Sequence, residues 1–149
     1  MVDHRALFDR SMEIHSRREW DRLAEVFTED IVEEYPQSGE VFRGLDNVRA
    51  VRTDYPNLDT IIQSVDPGTV RVAASEQKWV VTQMYTAVRL EGSGDIGTGI
   101  SRIHYPDGST WWQILIYELR DGRIAHASVY WAPEFEPPEW RAPYRAARP

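Results

Sequence analysis

Three side chains in this sequence are suited to moving or polarising a proton: Tyr35, Glu33 and His15. Glu33 and Tyr35 stand two apart in a stretch rich in Ile, Val and Tyr, so on a strand they share one face and leave Glu34 on the other. A phenol in an apolar site donates a hydrogen bond to a carbonyl oxygen, and a carboxylate there has its pKa raised into a range useful for acid/base work. Each also has a quieter use: Tyr35 as a core tyrosine bonded to the backbone, Glu33 as a solvated strand-edge carboxylate, which is its first reading. His15 lies on the apolar stripe of an N-terminal helical pattern, where it would point toward a cavity mouth. His126 has the parity opposite to Val129 and Trp131, which assigns it to an outer face or a dimer contact. His104 precedes the turn sequence Tyr105-Pro106-Asp107-Gly108 and reads as exposed.

Other chemistries fall away on composition. The 149 residues contain no Cys, which removes disulfides, thiolate nucleophiles, iron–sulfur clusters and cysteine zinc sites together. Lys and Arg number 17 against 24 Asp and Glu, a formal charge of −7, which argues against a phosphate backbone or an anionic membrane as partner. Gly92, Gly94 and Gly97 match G-x-G-x-x-G, but no helical pattern follows to offer its N-terminus to a pyrophosphate, so they read as a hairpin loop. Scattered histidines give no metal-binding spacing, and no cofactor or metal is expected. Without a signal segment or an apolar run of membrane-spanning length, the expectation is a cytoplasmic protein.

The elements that must position these groups divide the chain. Asp3 is an N-cap for a first helix with Leu7, Phe8, Ser11, Ile14 and His15 on one face. Ser16 and Glu19 have capping-box spacing before a second helix carrying Trp20, Leu23, Ala24 and Phe27. A first strand over 30–35 ends at Pro36, a short hairpin run follows at Val41 and Phe42, and a third helix with Leu45, Val48, Val51 and Tyr55 should stop at Pro56. Beyond the turn signal of Pro67 and Gly68, strand patterns run over 69–74, 78–90, 98–105, 110–119 and 123–131, with Asp121-Gly122 as a tight hairpin turn. Over 110–119 both alternating sets are apolar, so one sheet face should meet the helices and the other a second copy of the chain, a homodimer. The chain reads as one α+β domain over 1–149. Its Pro-rich tail, 133–149, is expected to cross the surface anchored by Phe135, Trp140 and Tyr144.

This order, with the strings W-D-R-L-A-E-V-F-T-E-D from Trp20, Y-P-Q-S-G-E-V-F-R-G from Tyr35, E-L-R-D-G-R-I from Glu118 and Y-W-A-P-E-F-E-P-P-E-W-R-A from Tyr130, resembles the SnoaL-like branch of the nuclear transport factor 2-like superfamily. The resemblance implies a cone-shaped fold, three N-terminal helices on a curved, mostly antiparallel sheet. It also implies that Trp111, Gln113, Leu115, Tyr117, Ala127, Val129 and Trp131 face the cavity, with Gln113 and Tyr117 as its sparse polar groups. Matched to ketosteroid isomerases of this fold, Ser11, Tyr35 and Leu115 occupy the positions of the catalytic Tyr and two Asp residues, which argues against that mechanism. Val129 stands where relatives with a similar tail carry an acid, which weakens a cyclase base there.

The fold hosts many activities. The leading expectation is a cofactor-independent lyase, isomerase or cyclase acting on a hydrophobic or polyketide-like small molecule, with Tyr35 polarising an oxygen and His15 or Glu33 moving a proton. The alternative is a noncatalytic protein that binds a hydrophobic ligand or dimerises. Water addition, as in epoxide hydrolases of this fold, needs a carboxylate cluster with an Asn or Arg around one water, and the sequence alone does not assemble it.

Overall fold

The computed structural model describes residues 2–55, 73–75, 78–80, 85–105 and 108–147. Helix α1 spans His4–Arg17 and starts as its sequence dictates, with the Asp3 carboxylate accepting from the Ala6 N–H at 3.0 Å. It ends at Arg18, whose left-handed φ of 56° lets its own N–H and that of Glu19 reach back to the carbonyls of His15 and Ile14. Ser16 therefore belongs to α1, and its hydroxyl donates to the Glu13 carbonyl. The capping box does not form, and Glu19 instead pairs with Arg22. What was expected as a second α-helix is a six-residue 3-10 helix, Trp20–Glu25, and Phe27 opens a strand.

Strand β1, Phe27–Tyr35, pairs antiparallel with β2, Glu40–Arg43. Helix α2, Leu45–Thr53, follows Gly44, whose φ of +85° makes the turn that aims it back across the sheet. It ends at Thr53, with the Asp54 N–H bonded to the Ala50 carbonyl, and the expected terminator Pro56 lies outside the described residues. Its buried face carries Leu45 and Val48, the stripe that Arg52 continues one turn on, whereas the expected Tyr55 is 46% exposed. The remaining strands are β3, Ala73–Ser75; β4, Lys78–Val80; β5, Tyr85–Ser93; β6, Ile96–His104; β7, Thr110–Arg120; and β8, Arg123–Pro133. The Pro67-Gly68 turn, Pro106, Asp107 and the expected strand residues 69–72 and 81–84 lie outside the described residues.

The eight strands among the described residues form one sheet in the order β2-β1-β8-β7-β6-β5-β4-β3, antiparallel except where β1 runs beside β8. That single parallel contact brings Glu33 next to Ala127 and joins the N-terminal half to the long hairpins. Ile14, Leu23, Val26, Ile31 and Val48 are fully buried between the helices and the inner face, with Leu119 and Ile124 beneath them. The tail forms a short 3-10 helix, Glu139–Tyr144, but its aromatic residues do not anchor it. Phe135, Trp140 and Tyr144 are exposed, Trp140 stacking only under the guanidinium of its neighbour Arg141.

Candidate functional site

A cavity of about 80 Å³ lies between α1, α2 and the inner face of β1, β7 and β8. That is room for several waters or part of a small organic molecule. Phe8, Met12, Phe27, Leu115 and Val129 make much of its wall apolar. The two-residue strand period brings Gln113, Leu115 and Tyr117 of β7 and Ala127 and Val129 of β8 to it, as the inward parity requires. Trp111 and Trp131, of the same parity, lie beyond its rim. Trp111 donates to the Ser109 hydroxyl, while the Trp131 ring meets Tyr35 edge-on and its backbone N–H and C=O are both taken by the Gln37 amide.

The polar side of the cavity is one chain of hydrogen bonds. Glu33 comes from β1 and is 2% exposed, which overturns its reading as a solvated edge carboxylate. Arg52, from the last turn of α2, grips it with both terminal nitrogens, Nη2 to Oε2 at 2.8 Å and Nη1 to Oε1 at 3.2 Å. Tyr35 donates its hydroxyl to Oε1 at 3.0 Å. Burial, then the charge of Glu33, push the phenol above its ordinary range, so it remains a neutral donor. Tyr35 thus stands against Glu33 with its ring wedged edge-on to Phe42 and Trp131, and Glu33 faces the cavity.

His15 occupies the other end of the chain. Its Nδ1–H donates to the Ser11 carbonyl at 2.7 Å, one turn back along α1, and that fixes the tautomer with Nε2 as an acceptor. Arg52 donates its Nε–H to that nitrogen at 2.9 Å, and the Arg52 guanidinium also lies 5.4 Å over the Phe27 ring. Burial, and next the Arg52 charge, lower the His15 pKa from 6.5 to about 4. Both ring nitrogens are engaged, so His15 is a neutral hydrogen-bond acceptor rather than a free base.

Tyr117 contributes its ring to the cavity wall while its hydroxyl turns away to His4 Nδ1, 2.9 Å distant. The other ring nitrogen of His4 faces the Gly94 carbonyl at 3.0 Å. A carbonyl can only accept, so Nε2 carries the hydrogen and Nδ1 accepts from the Tyr117 hydroxyl. Of the two expected polar lining groups, only Gln113 keeps an uncommitted side chain; its amide makes no hydrogen bond to a described residue. His126 and His104 lie away from the cavity: His126 sits 3.4 Å from Glu34 on the other sheet face, and His104 is exposed and bonded to Thr110. Among the described residues no three His, Asp or Glu side chains converge as a metal site would require.

Sequence reasoning missed Arg52 and His4. The signal for Arg52 was a cation seven residues after Leu45 and four after Val48, where the apolar stripe of α2 calls for another apolar side chain. No comparable signal marks His4, because its partner is 113 residues away.

Similarity to known proteins agrees with this architecture. The family model described as a SnoaL-like domain matches residues 8–127. An NTF-2 like protein of unknown function from Burkholderia xenovorans superposes with a TM-score of 0.70 at 21% identity, covering 97% of this chain and 94% of that one. A candidate ketosteroid isomerase from Kribbella flavida gives 0.72 at 20% identity, with 100% and 94% covered. A candidate polyketide cyclase from Sinorhizobium meliloti gives 0.57 at 15%, with 83% and 93% covered. At these identities the likeness is one of fold. No curated protein matches the sequence. With the family model running from within α1 to the middle of β8, the chain belongs to the SnoaL-like family of the nuclear transport factor 2-like superfamily.

Proposed function

We propose that this protein is a cofactor-independent acid/base catalyst, a lyase, isomerase or cyclase, for a hydrophobic or polyketide-like small molecule. Glu33 is the base and Tyr35 the residue that positions it. The observation that carries this reading is a buried carboxylate facing a largely apolar cavity, fixed by Arg52 on both oxygens and by Tyr35 on one. A carboxylate oxygen has lone pairs beyond those its fixed donors use, so Glu33 can still take a proton from carbon beside a substrate carbonyl. The electron pair released moves to the carbonyl oxygen. Returning the proton elsewhere gives isomerisation, losing a leaving group gives elimination, and attack on a second carbonyl gives cyclisation. His15, with both nitrogens bonded, passes its proposed proton-moving role to Glu33.

The names of two fold neighbours, a candidate isomerase and a candidate cyclase, are compatible with such chemistry. The apolar outer sheet face supports the further proposal that two copies pair in solution, with Ile114, Ile116 and Tyr130 at the contact.

The reaction can be tested before its natural substrate is identified. Incubated with acetophenone in deuterated water, the protein should accelerate exchange of the methyl protons, followed by NMR. Glu33→Gln should abolish the acceleration while the folded spectrum persists. Binding without any accelerated exchange would instead mark a noncatalytic ligand-binding protein.

A further inference from the structure

Arg52 presents five N–H groups, and four are accounted for. Nε–H goes to His15, the two on Nη1 to Glu33 and the Val48 carbonyl, and one on Nη2 to Glu33. Because the guanidinium is planar, the second Nη2–H runs parallel to the Nε–H and lies beside His15, on the cavity wall. It has no acceptor among the described residues. Gln113, across the cavity on β7, adds a side-chain amide that has no partner among the described residues.

Charge decides which acceptor these donors can hold. The Arg52 cation is matched by the Glu33 anion at 2.8 Å, in a pair whose side chains are 16% and 3% exposed. His15 adds no charge, since its pKa of about 4 keeps it neutral through the physiological range. The cluster is therefore neutral in sum, and an incoming anion would have to leave water for a site whose cation is already neutralised. A neutral oxygen loses far less hydration and can still accept from a charged donor.

We propose that Arg52 is the specificity-determining residue of the cavity: its free Nη2–H, with the Gln113 amide, holds an uncharged carbonyl oxygen, and its pairing with Glu33 rejects carboxylates of the same shape. His15 is a positioning residue that fixes the guanidinium plane through its Nε2 acceptor. The inference rests on the cavity being the ligand site, as the proposed function requires, but not on catalysis.

Acetophenone and benzoate test it, being near-isosteric and differing by a methyl group against a charged oxygen. Ligand-detected NMR titration of the native protein should show acetophenone binding at least tenfold more tightly. Glu33→Gln leaves Arg52 as an unmatched cation and should reverse the preference. Equal or tighter binding of benzoate by the native protein, binding of neither, or an unchanged ratio in a folded Glu33→Gln variant overturns the assignment. Should that variant not fold, the native protein still decides: acetophenone must shift the Arg52 Nε–H and the Gln113 side-chain amide resonances, and titration without those shifts overturns it. Selective binding without methyl exchange would sink the catalytic reading and leave this one standing.

Discussion

Glu33 is a charge placed where the fold can keep it only with help from a cation that is itself buried. A buried pair that loses one partner leaves an uncompensated ion, at a cost of about 3–5 kcal/mol. Arg52→Met should therefore lower the unfolding free energy by about that amount in urea titration; a loss below about 1 kcal/mol would mean that water already compensates Glu33. Tyr35→Phe removes one of the donors to a charged acceptor and should cost about 1.5–3 kcal/mol of stability. Because Tyr35 fixes Glu33 rather than the ligand, the same change should slow methyl exchange about tenfold while acetophenone affinity stays within about twofold; equal losses of both would place Tyr35 on the ligand instead. His15 makes a separate statement about pH. Its pKa is lowered from 6.5 to about 4 on folding, so between these values the unfolded chain holds the extra proton and stability rises with pH. Lowering the pH from 7 to 4 should thus cost at most roughly 3 kcal/mol through this group, since each pH unit between the two values contributes about 1.4 kcal/mol. In His15→Gln that part of the slope in denaturant midpoint against pH should vanish, and a slope equal to that of the native chain would refute it.

At the level of elements, local signals are readable wherever one residue fixes its own neighbourhood. The Asp3 cap and the Asp121-Gly122 hairpin turn follow from side chains that satisfy or release the backbone beside them, and the β7 and β8 parity follows from the strand period. The expected second helix fails because Trp20, Leu23, Ala24 and Phe27 fit a 3.6-residue stripe that the tertiary structure does not honour. A left-handed Arg18 and the pairing of Phe27 with Ile124 on β8 override that periodicity, and neither is visible in a local window. Arg52 is hidden for a related reason: its meaning depends on Glu33 and His15, which lie 19 and 37 residues away. The glycine cluster sits in a hairpin, as its sequence implies, but its use is tertiary. Gly92 and Gly97 face each other across the β5–β6 hairpin, and a Cβ on Gly97 would lie 2.2 Å from the Tyr117 ring, one on Gly92 2.3 Å from the His4 ring. They are the floor on which the His4–Tyr117 hydrogen bond rests. Gly97→Ala should cost about 1–3 kcal/mol by overpacking alone, measured by chemical denaturation, since Gly97 is not at a positive φ and the added methyl meets the Tyr117 ring. A loss below about 0.5 kcal/mol would argue that the Tyr117 ring is not what the glycine accommodates.

For the whole molecule, the question is what covers the second face of the sheet. The register sets Ile100, Ile114 and Tyr130 in one row across β6, β7 and β8, with Thr98, Ile116 and Ser128 in the next row but one. The chain shields part of this face itself: Arg102 lies 5.5 Å over the Trp112 ring and is fixed there by Glu134 at the start of the tail. Ile114, Ile116 and Tyr130 remain 37%, 42% and 36% exposed. Ile114 and Ile116 on β7 with Tyr130 on β8 form an apolar patch bordered by Thr98 and Ser128, and a self-complementary pairing about a two-fold axis would bury it on both copies at once. A stable pairing needs about 800 Å² from each partner, more than these three residues supply, so the neighbouring rows must contribute as well. The formal charge of −7 on each copy opposes association at low salt and is screened within about 8 Å at physiological ionic strength. Sedimentation equilibrium at about 0.15 M salt should accordingly give twice the 17.3 kDa chain mass, and Ile114→Glu combined with Ile116→Glu should give the single-chain mass with an unchanged far-ultraviolet spectrum. Since the cavity lies on the opposite face, acetophenone binding should survive in that double variant. A native chain that sediments as a monomer at tens of micromolar would remove the second copy from the account and leave the outer isoleucines as solvent-facing residues of a working monomer.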